Sequence, residues 1–263
     1  HRGGPTRGCA AGTLAPCMTP RRIIIHAGFH KTGTTNLQQT LRANRAALRP
    51  DVRLVLRPGM NALCESARGY SKTREDYDLG LVKYEAAMLM EALERETAPT
   101  LVISSEDLSG HMPGRHGLRS YGAAPDLMRA LSVAFKAVDP KAQVTFFFTT
   151  RDADPWLRSC YAQHLRTARM IWDEAEYIKR LKASAALEQI IDQIRSEVPD
   201  SDVLSAALEA HANRPLGMAE ALLDILEFSQ SRRAKLVPSP TRNAALTADV
   251  CAELLALNRS DLE

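Results

Sequence analysis

Eight consecutive residues, GFHKTGTT at 28–35, concentrate groups that bind anions. Gly28 and Gly33 let the backbone curl until successive N–H groups converge, which makes a nest for negative charge. Lys31 adds a mobile full charge, and Thr32, Thr34 and Thr35 add hydroxyl donors. The apolar run RIIIHA precedes the loop, and a helix reads from Thr34 onward, so the positive end of a helix dipole joins the nest. In the ordinary triphosphate loop, GxxxxGK[ST], the lysine opens the helix and the next hydroxyl holds magnesium. Here Thr34 occupies the lysine position and the lysine sits inside the loop. The pattern predicts a cradled phosphate met by a cation from another direction, and it supplies no dedicated reason for a metal ion. The plain alternative is a glycine turn with a solvated lysine.

Two more stretches carry chemistry at the ends of apolar runs. TLVISS at 100–105 leads into Glu106 and Asp107, and VTFFFTT at 144–150 leads into RDADPW. Parallel strands put their ligand crevice beyond their carboxyl ends. The segments Gly28–Thr35, Ser104–His111 and Arg151–Ser159 are therefore expected to meet there. A planar guanidinium such as that of Arg151 can grip two phosphate oxygens at once. Standing alone, it is equally well read as an ion pair with Asp152 or Asp154.

The loop GFHKTGTT resembles the 5′-phosphosulfate-binding loop of sulfotransferases, enzymes that use 3′-phosphoadenosine 5′-phosphosulfate (PAPS), and is closest to bacterial members with a HKTGT-type loop. The resemblance spans about residues 22–166. It implies an enzyme that moves a sulfuryl group to a hydroxyl or amine of a carbohydrate, lipid or small metabolite, needs no metal and releases adenosine 3′,5′-bisphosphate (PAP). It implies that Gly28, His30, Lys31, Thr32, Gly33, Thr34 and Thr35 hold the phosphosulfate. It assigns the 3′-phosphate to an arginine at a strand end and a serine eight residues on, here Arg151 and Ser159. Lys31 would stabilise charge on the leaving oxygen. Glu106 is the first candidate for the base that takes the acceptor proton, and His111 is the second. The family's late RxGxxG stretch is missing. PSPTRNAALT, with Arg242 and Asn243, resembles a C-terminal segment of bacterial members and would add Arg242 to the cofactor site, unless it is a plain loop. Two other readings compete: a small-molecule kinase in which ISSED holds magnesium, and a nucleotide-binding protein without catalysis.

The elements that must position these residues alternate. Strands are predicted at Arg22–Ala27, 52–57, 100–105 and 144–150. Helices are predicted at 34–48, 79–96, 125–138, from Asp154-Pro155 onward, and at 173–197, 216–228 and 247–257. Asp154 is read as an N-cap and Pro155 as the first helical residue. In 79–96 the buried side is read as Leu81, Met88, Leu89 and Ala92. Residues 60–75 read as a loop, and DVLSAALE at 202–209 suits either a helix or a last strand. The sum is a single-domain α/β chain, P-loop-like, with a mainly parallel sheet flanked by helices.

The 263 residues are 45% apolar and 25% charged, which suffices for a buried core. A net charge of +3 is too small to argue for nucleic acid. No stretch approaches the roughly 20 apolar residues of a membrane span. Five scattered cysteines without CxxC fit a reducing compartment, and the first residues offer too short an apolar core for a secretion signal, so the expected location is cytoplasmic. Residues 1–17 lack periodicity and are read as a leader outside the fold, with Met18 as the natural start, leaving 18–263 as the domain.

Overall fold

Near-continuous apolar runs form strands buried on both faces, which is what a parallel sheet between helical layers requires. The computed structural model describes residues 21–239 and 246–260. In chain order the elements are β1 Arg22–His26, α1 Thr34–Ala43, α2 Arg45–Leu48, β2 Val52–Leu56, α3 Asn61–Thr73, α4 Asp76–Ala92, β3 Thr100–Ser104, α5 Ala124–Val138, β4 Gln143–Thr150, α6 Ala153–Thr167, α7 Glu174–Leu181, α8 Leu187–Glu197, β5 Asp202–Ala207, α9 Leu208–His211, α10 Ala219–Ile225, α11 Gln230–Arg233 and α12 Ala248–Arg259. A 3-10 turn at Glu106–Ser109 follows β3.

The five strands form one sheet in the order β2-β3-β1-β4-β5, every pair parallel. Alternate residues of one strand feed opposite layers. Ile23 and Ile25 join the core with α3, α4, α5 and α8, whereas Ile24 packs with Leu37 and Leu41 of α1 and Leu222 of α10. The chain leaves β1 toward β2 on one side and leaves β4 toward β5 on the other. Those two adjacent strand ends therefore diverge, and a crevice opens between them. The architecture is the expected P-loop-like α/β fold.

Several local expectations are corrected. Residues 60–75 are not a loop: Asn61–Thr73 is helical and buries Leu63, Cys64, Ala67, Tyr70 and Ser71. That face repeats with helical spacing, but its small and weakly apolar residues hide the period. The helix from Thr34 breaks at Asn44, whose side chain bonds both the N–H and the carbonyl of Val237, each at 2.8 Å. The helix at 173–197 is interrupted by a 3-10 turn, Lys182–Ala185. In α4 the inward stripe is Val82, Ala86 and Met90, while Met88 is 44% exposed. Apolar residues surround that helix, so periodicity could not select the face that packs. Helix α6 starts at Ala153 with Asp152 as its cap residue, not at Pro155 with Asp154. Residues 202–209 resolve into the last strand, β5, followed at once by α9. The leader expected at 1–17, together with Arg242 and Asn243, lies outside the described residues. Among those described, no helix is long and apolar enough to cross a membrane, and Cys64, Cys160 and Cys251 are free thiols.

Candidate functional site

The loop after β1 is shaped by close packing as much as by turn chemistry. A Cβ on Gly28 would stand 2.5 Å from Thr149 Oγ1 and 2.6 Å from His26 Nε2, so β4 and the buried histidine of β1 leave room for hydrogen alone. Gly33 caps α1 at φ 94°, and Lys31 also has a positive φ of 68°. A non-glycine residue held there stores on the order of 1 kcal/mol of backbone strain, a feature that clusters at functional sites. Thr32 is fully buried. Its hydroxyl donates to the carbonyl of Phe29 at 2.5 Å and lies 2.6 Å from Thr149 Oγ1, so it braces the loop from inside. Thr34 is buried at the start of α1, and Thr35 is exposed beside it.

His30 is held on every side. Its N–H donates to Tyr121 Oη at 3.0 Å, its Nδ1 lies 3.0 Å from the same oxygen, and its carbonyl accepts from Trp156 Nε1 at 2.8 Å. Its Nε2 lies 3.6 Å from Asp107 Oδ1. Asp107 in turn binds Arg57 and Arg68. Burial opposes ionisation of Asp107, but contact with His30 and the charges of Arg68 and Arg57 outweigh it and hold the carboxyl below its usual range. The ring of His30 is thus engaged within the protein.

Lys31 and Arg151 meet. Arg151 Nη1 donates to the carbonyl of Lys31 at 3.3 Å. Its Nε is buried without a hydrogen-bond partner, since Glu209 Oε1 stands 4.0 Å away. Lys31 Nζ reaches Gln163 Oε1 at 3.4 Å. Burial, then the charge of Arg166 and that of Arg151, lower the Lys31 ammonium below its ordinary range, while Glu106 works the other way. Arrival of an anion would relieve this crowding of like charge.

Ser159 belongs to the same wall. Trp156, Ser159 and Gln163 follow one another at i, i+3 and i+7 on α6, which is one helical face. The first and last of them touch the loop. Glu106 begins the turn after β3, and its Oε2 accepts from Gln38 Nε2 of α1 at 2.9 Å. The structure therefore gathers Lys31, Arg151 and Glu106 at one end of the sheet, with Ser159 on the helical face between two loop contacts. His111 stands apart. Its ring lies 4.5 Å from that of His116, and its N–H donates to Ser71 Oγ at 3.0 Å. Burial, then the charges of His116, Arg68, Lys72 and Arg115, push its pKa down to about 4.

Sequence reasoning missed Gln38, Tyr121, Thr149 and Trp156. Each supports a candidate site residue or the loop through hydrogen bonds formed across the fold, and no local spacing announces such bonds. Trp156 stood in the RDADPW stretch, where a tryptophan one turn into a helix was a visible signal. Neither a protein-family model nor a curated protein matches the chain.

Proposed function

We propose that this protein is a sulfotransferase that moves the sulfuryl group of PAPS to a hydroxyl or amine acceptor. The observation that carries the reading is the contact between Arg151 Nη1 and the carbonyl of Lys31. The guanidinium at the end of β4 thus rests on the backbone of the residue that carries the loop's cation, 120 residues away in sequence, and its charge helps lower the Lys31 pKa. A nucleotide with phosphates at both ends of its ribose needs two such groups. The buried, unpartnered Nε of Arg151 also fits a bound anion.

PAPS supplies an activated sulfur that accepts a nucleophile and expels a phosphate oxygen. Within the reading, the loop N–H groups and Thr35 bind the 5′ end, while Arg151 and Ser159 bind the 3′-phosphate. Lys31 neutralises charge as the bond from sulfur to the bridging oxygen breaks. Glu106 takes the proton as the acceptor oxygen or nitrogen bonds to sulfur, and Gln38 orients that carboxylate. Asp107, which a kinase would offer to magnesium, is already bound by Arg57 and Arg68. That engagement weighs against the kinase reading.

Thermal unfolding with added ligand tests the assignment. PAP without metal is expected to raise the midpoint, whereas stabilisation by ATP with magnesium alone would favour a kinase. Labelled sulfate transferred from PAPS into extracted cell material would then identify the acceptor. Stabilisation by PAP with no transfer to any acceptor would leave only a binding protein.

A further inference from the structure

Arg151 approaches the loop from the end of β4. Beyond the end of β3, on the other side of β1, a cavity of about 330 Å³ opens between the end of α3 and the segment 118–123. Its volume is at the small end of the range for small-molecule sites, roughly 300–1,000 Å³. Among the described residues its wall carries Lys72, Arg74, Arg119 and His111, and no aspartate or glutamate. Arg74 is engaged by Asp126 at 2.7 Å. Lys72 and Arg119 have no carboxylate partner among the described residues. Two cations without carboxylate partners on one concave wall make it electropositive, which favours an anionic ligand there. The depressed titration of His111, to which burial contributes most and His116, Arg68 and Lys72 contribute next, is a second sign of that positive field.

The cavity is also fastened to the loop. Ser109, in its wall, donates from Oγ to the carbonyl of Ala27 at 2.5 Å. Tyr121, also in its wall, holds His30 through its hydroxyl. A molecule seated there lies one side chain away from the segment that carries Lys31.

We propose that this cavity binds a hexose-sized molecule carrying a phosphate, sulfate or carboxylate group, with Lys72 and Arg119 as its anion-binding residues, and that this molecule is the sulfuryl acceptor. The acceptor role rests on the sulfuryl-transfer reading; the anionic character of the ligand rests on the cavity alone. Glucose 6-phosphate and glucuronate are the charged probes, and glucose is the neutral control, all followed by calorimetry at low ionic strength. Both charged probes are expected to bind where glucose does not, and added salt is expected to weaken them. Changing Lys72→Ala and Arg119→Ala together should weaken them about tenfold or more. Both residues are exposed, so an unchanged thermal midpoint verifies that the double variant folds. Glucose binding as tightly as its phosphate, or unchanged binding by the double variant, would overturn the proposal. PAP binding to the wild type with no binding of either charged probe would also overturn it, and would leave the transfer reading standing. Charged probes that bind through Lys72 and Arg119 to a protein that ignores PAP would uphold the anionic site and remove its role as acceptor site.

Discussion

Replacing Arg151 with alanine deletes the guanidinium that joins the β4 end to the loop. A hydrogen bond to a charged group contributes about 1.5–3 kcal/mol, so a two-pronged grip on a 3′-phosphate gives up roughly 3–6 kcal/mol. Two features of the site reduce that figure. In the free protein Arg151 already bonds the Lys31 carbonyl and faces Glu209, and its side chain is 26% exposed, so solvent screens part of the charge. A net loss of about 2–3 kcal/mol is expected, which is roughly 30- to 150-fold in Kd. Calorimetry with two ligands separates causes. PAP should lose that factor, while adenosine 5′-monophosphate, which lacks the 3′-phosphate, should bind both proteins alike. Arg151→Lys should fall between, since it keeps the charge and loses the fork. Equal losses for both ligands would mean that Arg151 acts by holding the Lys31 carbonyl. No loss for PAP would remove the 3′-phosphate assignment altogether.

Lys31→Ala should lower the rate of sulfuryl transfer by about 10²–10³-fold, with a smaller effect on PAP affinity, because its charge is needed most on the leaving oxygen. Steady-state rates and calorimetry would separate the two, and a variant at wild-type rate would exclude Lys31 from the chemistry. Gly28→Ala should cost about 1–3 kcal/mol in urea unfolding, because the added methyl meets Thr149 Oγ1 and His26 Nε2 at 2.5 and 2.6 Å; undiminished stability would show that the loop yields. His26 is buried with its Nδ1 2.7 Å from Ser104 Oγ, and burial lowers its pKa from 6.5 to about 3. Between those pH values the unfolded chain carries a proton that the folded one lacks, so stability falls on acidification through that window. His26→Asn, whose amide occupies the position of Nδ1, should flatten the slope there by about 1.4 kcal/mol per pH unit in urea titrations. An unaltered slope would mean that the folded protein accommodates the imidazolium.

Much of the architecture was legible because parallel strands announce themselves. Short apolar runs such as RIIIH and QVTFFFTT suit strands covered on both faces, and both form interior strands of the sheet. Where the local signal was weak, packing decided. Helix α3 presents Cys64, Ala67 and Ser71 inward, residues too small to write a clear period. Helix α4 is apolar on several sides, and only its neighbours select Val82, Ala86 and Met90. Asn44 reads as an ordinary helical residue until Val237 arrives to bond it from the far end of the chain. Of the site, the loop and the strand-end arginine could be named from spacing. The brace formed by Tyr121 and Trp156 around His30 could not, because hydrogen bonds across 91 and 126 residues leave no trace in local pattern.

By itself, then, the sequence determined the strand–loop–helix at 22–43 and the identity of its charged groups, since backbone conformation and burial of an apolar run are set by near neighbours. The tertiary structure decided what each charge faces. The strand order brings the ends of β1, β3 and β4 side by side, so Arg151 meets Lys31, Glu106 meets Gln38, and Lys72 and Arg119 face one cavity without a counter-ion among the described residues. The physical reason is range: conformational preference acts over a few residues, whereas Coulomb attraction and desolvation act through space and depend on whatever the fold puts within a few ångströms.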